Sequence, residues 1–368
     1  MQVLFRHEFF APTGYGNSAR EIAFAMEDMG VDLKLEPIGG RYDFLSAEVS
    51  ARLQSLVKRP LKDRCVLLTE QPMPRQEDAG KFVKTVSCVM WETTKVPHAM
   101  AAPCNRSDAM VLPNTLNQQA FRHGGVHVPI YLAPYGVNPS LYHPDGPKER
   151  FGEPDDVFVF LSVFGWSERK GPDVLIEAFA REFSPQEPVV LILKTHGLNA
   201  NEFPHELYQK VLNDHRISGD LRIRLIVEAM PPEKVAAMYR GADCFVLPTR
   251  AEGVGLPILE SMACQTPVMA TGWGGHSDFF NPNSGYPIPY QLKPASRLWW
   301  TDLYGPDQLW AEPDAGALQV LMRRAVTQRS ELLQKGENAR KTAVEWNWGR
   351  TARAFVSALE EVVGEALV

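Results

Sequence analysis

Two glutamates, Glu252 and Glu260, enclose a short glycine-containing segment of the chain. The residues between them that offer backbone groups to a ligand are Gly253, Val254, Gly255 and Leu256. An apolar run ends at Leu247 and helical periodicity follows, so the segment is predicted to leave a strand and open a helix. Because backbone N–H groups at a helix N-terminus bind phosphate and carboxylates accept hydrogen bonds from hydroxyl groups, the pattern indicates a ligand that carries both.

In the alternative interpretation, neither Glu252 nor Glu260 binds a ligand. Glu252 then caps the helix, because short acidic side chains near a helix start accept hydrogen bonds from its backbone. Glu260 is then a solvated residue on the outer face of the same helix.

Two basic residues, Arg169 and Lys170, form a second candidate site. They follow a predicted strand at 157–163 and precede a helix that starts at Pro172, a residue suited to a first helical turn. Cations in that position could stabilise negative charge that develops on a phosphate leaving group. The alternative is a pair of solvated residues at the tip of a loop.

Short apolar runs and helical periodicity alternate along most of the chain. The runs rarely alternate with polar residues, which is typical of strands that have helices over both faces. The predicted strands span 3–5, 33–35, 66–69, 86–90, 109–112 and 130–133 in the first half, and 157–163, 189–193, 223–227, 244–247 and 268–270 in the second. The first helix is predicted to be capped by Asn17 or Ser18 and to end before Gly30. This alternation predicts an α/β protein with parallel sheets.

A polar, Pro- and Gly-rich stretch at 142–156 divides this pattern. We expect an N-terminal Rossmann-like domain over 1–148 and a C-terminal one over 149–349. The last helix, within 350–368, is expected to pack back on the first domain. The stretch 273–313 shows neither strand nor helix periodicity, and a segment of that length in a compact domain is usually functional.

The chain has 368 residues, more than one hydrophobic core usually holds. Its formal net charge of −6 argues against a protein that coats nucleic acid. Five cysteines without C-x-x-C spacing are typical of reduced cytosolic thiols. No apolar run approaches the roughly 18 residues of a membrane span, and the first residues lack the layout of a signal peptide. We therefore expect a cytoplasmic protein.

The segment 252–260 resembles the Glu-x7-Glu motif of retaining glycosyltransferases with the GT-B fold, especially glycosyltransferase family 4 (glycosyl transferases group 1). The following stretch 261–270 resembles the usual sequel of that motif. This resemblance implies that Glu252 holds hydroxyls of the donor sugar and that Glu260 holds the nucleotide ribose. It also implies that the backbone of 253–256 contacts the sugar and the diphosphate.

The segment 160–179 is similar to the first unit of the family's C-terminal domain, in which a Lys-Gly pair precedes a helix. The resemblance implies that Lys170, with Arg169, neutralises the leaving diphosphate. Many members carry another arginine where this chain has Gly165, which leaves open whether Arg169 takes its place. No acidic D-x-D pair stands at a strand end in the second half, and enzymes of this fold need no bound metal.

The resemblance extends more loosely into the first half. Residues that resemble the family's acceptor-side glycine loop are Gly14, Tyr15, Gly16 and Asn17. The segments 85–97, 108–114 and 133–139 resemble later landmarks of the N-terminal domain, with Asn114 and Asn138 where the family has Ser and Asp. We expect two Rossmann-like domains that face each other across a cleft.

A rival interpretation takes Gly14, Gly16 and Ala19 as the dinucleotide fingerprint G-x-G-x-x-G/A, with Glu36 on the ribose. It would make the protein an NAD-dependent oxidoreductase. However, the fingerprint requires a strand that runs straight into the glycines, and the stretch 7–13 intervenes. The histidines lie in or near predicted loops without a nucleophile or a metal-ligand spacing, and only His276 is expected to face the ligand.

These expectations combine into one predicted function. The chain is expected to transfer a hexosyl group from a UDP- or GDP-sugar to a hydroxyl of a glycan, a lipid-linked glycan or a small molecule, with retention of configuration. The alternatives are a DNA-modifying glycosyltransferase and a nucleotide-sugar-binding protein without transfer activity. A basic cluster formed by Lys58, Arg59, Lys62 and Arg64 suggests peripheral contact with the inner membrane face, although a solvated turn is the preferred interpretation.

Overall fold

The computed structural model describes residues 1–40, 44–70, 75–197, 203–219, 221–295 and 303–368. The chain forms two compact units. Unit 1 comprises Met1–Gly136, Leu303–Gln308 and Trp346–Val368. Unit 2 comprises Val137–Asp302 and Leu309–Glu345.

Unit 1 is built on a six-stranded parallel sheet with strand order β2-β1-β3-β4-β5-β6. Its strands are β1 (Gln2–His7), β2 (Leu33–Pro37), β3 (Cys65–Thr69), β4 (Lys84–Ser87), β5 (Ala109–Leu112) and β6 (Ile130–Leu132). Its helices are α1 (Gly14–Asp28), α2 (Ala47–Lys58), α3 (His98–Cys104), α4 (Thr115–His123) and α11 (Trp348–Val363). In β1, next to the edge strand β2, Val3 pairs with Leu33 on one side and Val66 on the other. All residues of β1, β3 and β5 are buried, as expected for a sheet covered on both faces.

Unit 2 holds a second parallel sheet of six strands, in the order β12-β11-β10-β7-β8-β9. Its strands are β7 (Phe158–Gly165), β8 (Val189–His196), β9 (Ile223–Ile226), β10 (Cys244–Leu247), β11 (Val268–Thr271) and β12 (Gly285–Ile288). Its helices are α5 (Pro172–Glu182), α6 (Pro204–Asp214), α7 (Pro232–Gly241), α8 (Leu256–Ala263), α9 (Ala315–Thr327) and α10 (Arg329–Glu345). The predicted α/β class and all eleven predicted strands are confirmed, with bounds that shift by a few residues.

The first helix begins earlier than predicted. Thr13 caps it, because its hydroxyl accepts the N–H of Gly16 at 3.0 Å. The assignment of the cap to Asn17 or Ser18 was therefore wrong. Gly16 cannot carry a side chain, since a Cβ there would lie 2.3 Å from the carbonyl oxygen of Ala11. The loop after β1 folds directly onto the helix start.

The stretch 273–313, which the sequence left without a structure, contains β12 and an antiparallel ribbon. The ribbon pairs β13 (Tyr290–Pro294) with β14 (Leu309–Pro313). The part of the intervening connection that belongs to unit 1 is Leu303–Gln308. Here Tyr304 stacks on Trp91 with ring centroids 5.1 Å apart, and its hydroxyl donates to Glu92 at 2.8 Å. A segment distant in sequence thus completes the first unit.

The C-terminal helix α11 packs against α1 within unit 1. Thr351 fixes it, because its hydroxyl donates to the carbonyl of Pro134 at 2.6 Å. A Cβ on Gly136 would lie 2.3 Å from the backbone of Asn347, so this contact requires glycine. Among the helices that the structure describes, none is both long and apolar enough to span a membrane.

Candidate active site

The candidate site of unit 2 lies at the carboxyl ends of two adjacent strands, β7 and β10. Ligands of parallel α/β sheets bind at this edge. The loops that follow the strands touch each other, since a Cβ on Gly171 would lie 2.0 Å from the carbonyl oxygen of Pro248. The backbone N–H of Arg250 donates to the carbonyl of Arg169 at 2.7 Å. Contact between the loops brings residues about 80 positions apart into one site.

Lys170 and Glu252, predicted from separate segments, form an ion pair in which the ammonium group donates to the carboxylate. A guanidinium nitrogen of Arg169 lies 3.7 Å from the other carboxylate oxygen and donates to the carbonyl of Ala251 at 2.6 Å. Burial alone would raise the pKa of Glu252, but the charges of Lys170 and Arg169 outweigh it and hold that pKa below its ordinary value. Glu252 is therefore an ionised hydrogen-bond acceptor.

Arg250, which the sequence analysis did not select, holds the site in place. It is 5% exposed and donates to both carboxylate oxygens of Asp173 at 2.9 and 2.6 Å. It also donates to both oxygens of Glu312 at 2.8 Å, and to the carbonyl of Glu168 at 2.7 Å. These contacts connect the start of α5, the ribbon strand β14 and the turn that carries Lys170. Bidentate arginine–carboxylate pairs of this kind fix geometry as well as charge.

The start of helix α8 is shaped by glycines. Gly255 is its N-cap and has a positive φ of 85°, and the structure shows no side-chain cap there. The prediction that Glu252 might serve only as a cap was wrong for this reason. Within the described ranges, no hydrogen-bond acceptor pairs with the backbone N–H groups of Val254, Gly255 or Leu256. Three adjacent N–H groups at a helix N-terminus suit a phosphate.

His276 lies beneath this loop and is fully buried. Its Nε2 is 2.7 Å from the carbonyl oxygen of Thr271, so this nitrogen carries the proton and donates. A Cβ on Gly255 would lie 3.1 Å from the Cβ of His276. Burial lowers the pKa of His276, so the ring is neutral near pH 7. It therefore supports the glycine loop by packing.

Glu260 lies on α8 and is half-buried. Its carboxylate accepts the hydroxyl hydrogen of Tyr239 at 3.0 Å. Glu260 is therefore not the fully solvated residue of the alternative interpretation. Its assignment to a ribose stays a prediction.

The four predicted acceptor-side residues, Gly14, Tyr15, Gly16 and Asn17, form the first turn of α1 in unit 1. The rival dinucleotide interpretation finds little support there. Glu36, its ribose-binding residue, accepts two hydrogen bonds from Arg6 at 3.0 and 3.1 Å. Strand β1 also ends at His7, well before the glycines.

The basic cluster of Lys58, Arg59, Lys62 and Arg64 is largely ion-paired. Arg59 pairs with Glu27 at 2.5 Å, and Lys62 pairs with Asp32 at 2.6 Å. Arg64 pairs with Glu365 at 2.9 Å. These pairs favour the interpretation as a solvated turn.

Searched over the part of the chain that the structure describes, no group of three or more His, Cys, Asp or Glu side chains could hold a metal ion. Sequence reasoning missed Arg250 as a functional candidate. The signal for Arg250 was weak, since its partner Glu312 lies in the stretch without periodicity.

Comparison with known proteins agrees with this geometry. A family model described as glycosyl transferases group 1 matches residues 155–292. The chain is 30% identical over 238 residues to a D-inositol 3-phosphate glycosyltransferase of Geodermatophilus obscurus, covering 62% of this chain and 46% of the relative. It is 27% identical over 243 residues to the enzyme of the same name from Corynebacterium jeikeium, covering 63% of this chain and 52% of the relative. The chain thus spans about half the length of these relatives.

Solved structures share the fold across nearly the whole chain. Sucrose-phosphate synthase from Thermosynechococcus elongatus matches with a TM-score of 0.72 and 17% identity, covering 99% of this chain and 100% of that one. HepE from Anabaena, in complex with UDP and glucose, matches with a TM-score of 0.69 and 14% identity, covering 98% and 100%. At these identities the likeness concerns the fold alone, and it confirms the predicted α/β GT-B fold class.

Proposed function

We propose that this protein is a glycosyltransferase that moves a hexosyl group from a nucleoside diphosphate sugar to an acceptor hydroxyl. One observation carries the proposal: the Lys170–Glu252 pair lies at the carboxyl edge of the unit 2 sheet, next to the open N-terminus of α8. This arrangement offers a cation, a carboxylate and backbone N–H groups together. A nucleoside diphosphate sugar presents the matching phosphates and hydroxyls.

In this proposal the diphosphate binds the N–H groups of Val254, Gly255 and Leu256. Lys170 and Arg169 neutralise the charge that grows on the leaving group. Cations positioned before the reaction stabilise such charge without reorganisation. Glu252, held ionised by those two residues, accepts hydrogen bonds from sugar hydroxyls, and Glu260 takes the ribose.

The bond changes follow from this arrangement. The bond between the anomeric carbon and the diphosphate oxygen breaks, and a bond to the acceptor oxygen forms on the same face. Configuration is retained because the new bond forms on the face that the diphosphate leaves. The acceptor hydroxyl gives its proton to the departing diphosphate, so no side chain is needed as a base. The charge that stabilises the leaving group comes from Lys170 and Arg169 rather than from a bound metal ion.

The named relatives support a nucleotide-sugar donor and a polyhydroxylated acceptor. HepE has structures with UDP-glucose and with UDP and glucose, and the curated relatives act on an inositol phosphate by name. By this analogy we propose a UDP- or GDP-sugar as donor. The proposed acceptors are a glycan, a lipid-linked glycan or a small molecule, and the proposed location is the cytoplasm.

The direct test is a thermal-shift screen of UDP-, GDP- and ADP-sugars followed by a donor-hydrolysis and transfer assay. A bound donor raises the melting temperature. We expect one nucleotide class to bind and to release its diphosphate faster when acceptor sugars are added. Binding of a donor without turnover on any acceptor would identify a nucleotide-sugar-binding protein without transfer activity. Transfer to hydroxylated DNA bases would instead identify a DNA-modifying glycosyltransferase.

The residue assignment gives the first mutational prediction. Lys170→Met and Glu252→Gln should each lower kcat at least tenfold, because each removes a charged contact in the transition state worth more than about 1.4 kcal/mol. Steady-state kinetics with the identified donor measure this loss. Lys210→Met, which removes an exposed lysine of α6 in the same unit, is the matched control and should leave kcat unchanged. Near-normal turnover in both site variants would contradict the assignment.

A further inference from the structure

Lys194 ends an otherwise apolar run in strand β8 and is 8% exposed. Lysine is almost never buried to this extent without a partner. Yet the described residues give its ammonium group no hydrogen bond and no ion pair. Burial lowers its pKa, and the opposing charge of Glu228 does not cancel that effect. Glu228 is itself exposed, so the protein leaves this cation uncompensated.

Lys194 lies near the edge of the sheet at which ligands of parallel α/β proteins bind. It stands near the carboxyl end of β8, in register with Val163 of the adjacent strand β7. Two residues further on, His196 is in register with Gly165, where β7 ends. The side chain of His196 is exposed, but partial desolvation lowers its pKa, and the charges of Lys194 and Lys170 lower it further. The positive charges of Lys194 and Lys170 therefore both act on His196 at the edge of the sheet.

We infer that Lys194 binds a phosphate of the donor's nucleoside diphosphate, together with Lys170. This inference rests on the proposed function and assigns to β8 a contact that neither the family motif nor the site geometry had provided. An anion in this position supplies the charge that the buried ammonium group lacks. The strong interaction between a desolvated cation and phosphate offsets the cost of burying the lysine.

The neighbouring basic residue is engaged elsewhere. Arg169 donates to the carbonyl of Ala251 and lies beside Glu252, so its guanidinium supports the loop after β10. Lys194 approaches from the other side of β7, on a strand rather than on a loop. Gly165, which has no side chain, lies alongside His196 at the end of the same strand pair. Lys194 is therefore assigned as a further phosphate cation on β8, beside Lys170 and Arg169 on the loop.

Isothermal titration with UDP and with uridine tests the assignment, with GDP and guanosine as the second pair. Lys194→Met should weaken nucleoside diphosphate binding at least tenfold while changing nucleoside affinity less than twofold, because only the phosphates lose a contact. Lys194→Arg should restore most of the affinity. The control Lys210→Met should behave as the wild type.

Melting temperatures without ligand separate binding from folding. Lys194→Met should leave the ligand-free melting temperature unchanged or raise it, since it removes an uncompensated buried charge. A marked fall, or an equal loss of uridine and UDP affinity, would overturn the inference in favour of a structural lysine. Unchanged UDP binding in Lys194→Met would overturn it while leaving the proposed function intact. If the wild type bound neither UDP nor GDP, the proposed function would fail as well.

Discussion

The carboxyl edges of the two sheets are completed in different ways. In unit 2, the candidate ligand-binding residues come from two short segments, 165–173 and 248–260, which meet through the contact between Gly171 and Pro248. In unit 1, the edge near Trp91 and Glu92 is covered by Tyr304, which lies 212 positions from Glu92 in sequence. One edge is built from local motifs, and the other depends on a distant insertion.

This difference explains why the proposed donor site resembles a known family more than the proposed acceptor side does. Loops that bind a nucleotide diphosphate need glycines and charges at fixed spacing, and fixed spacing is visible in a sequence. The matched family model, residues 155–292, accordingly lies within unit 2. An edge completed by residues such as Tyr304 and Gln308 leaves no local pattern to read.

Both units nevertheless contain the same arrangement, a buried arginine that lies between two carboxylates. In unit 2 Arg250 lies between Asp173 and Glu312, and in unit 1 Arg6 lies between Glu36 and Asp78. Only the first of these networks borders the candidate site. Comparing variants of the two arginines therefore distinguishes an effect on stability from an effect on ligand binding.

The largest expected effect comes from removing these guanidinium groups. Arg250→Met and Arg6→Met should each lower the free energy of unfolding by about 3 kcal/mol, because each removes the buried cation that lies between two carboxylates. Only Arg250→Met should also weaken UDP or GDP binding, since it releases the turn that carries Lys170. Urea denaturation and titration calorimetry measure the two effects.

Arg250→Lys and Arg6→Lys serve as charge-preserving controls. Lysine cannot bridge two carboxylates in the bidentate manner of arginine, so partial recovery of stability is expected in both. Equal losses of nucleotide affinity in the Arg6 and Arg250 variants would show that the contrast between the two networks is false.

The outline of the fold was predictable because several predicted strands, such as 109–112 and 189–193, are continuous apolar runs. The ribbon β13–β14 was not, since all residues of β13 are exposed and its pattern is not that of a buried strand. The start of α1 was misplaced because Asn17 and Ser18 are good caps by type, whereas Thr13 has the right geometry. Sequence alone ranks candidate caps but does not fix the loop that precedes them.

The candidate site was predictable to the same degree. Lys170 and Glu252 were selected on residue type and spacing, and the structure brings them into contact. Arg250 lies two residues before the motif 252–260, but its importance depends on Glu312, whose position follows only from the ribbon. A network that joins three segments is a property of the tertiary structure.

The next effect is a dependence of stability on pH. Burial alone would raise the pKa of Asp173, but Arg250 outweighs it, and a hydrogen bond from Arg6 lowers the pKa of Asp78. A carboxylate whose pKa is lowered in the folded state stabilises the fold at pH values above its ordinary pKa of 3.8. This contribution is lost as the pH falls from 3.8 through the lowered pKa. Urea midpoints should therefore be nearly constant from about pH 7 to pH 5 and fall towards pH 3.

The arginine variants identify the source of this acid sensitivity. In Arg250→Met the pKa of Asp173 loses its main lowering influence, so the stability difference from the wild type should narrow as the pH falls. The stability difference between Arg6→Met and the wild type should narrow in the same way, because Asp78 also loses the arginine that lowers its pKa. A difference that stays constant between pH 7 and pH 3 would assign the acid sensitivity to other carboxylates.

The smallest effect compares one tyrosine hydroxyl in each unit. Tyr304 in unit 1 donates to Glu92 at 2.8 Å, whereas the buried hydroxyl of Tyr286 in unit 2 has no hydrogen-bond partner among the residues the structure describes. A hydrogen bond to a charged group contributes about 1.5 kcal/mol or more, whereas a buried hydroxyl without a partner costs about 1 kcal/mol or more in lost hydration. Tyr304→Phe should therefore lower the melting temperature by about 3 °C or more, while Tyr286→Phe should leave it unchanged or raise it.

Scanning calorimetry of the two phenylalanine variants makes this comparison with a single oxygen atom removed in each case. If the insertion at 303–308 is what completes the edge of unit 1, Tyr304→Phe should also leave UDP or GDP affinity within twofold of the wild type, because the proposed donor contacts all lie in unit 2. Its effect should then fall on the acceptor, as a raised KM without a change in donor KM. A stability loss confined to Tyr286→Phe would reverse the comparison, since it would mean that the edge of unit 1 does not depend on Tyr304.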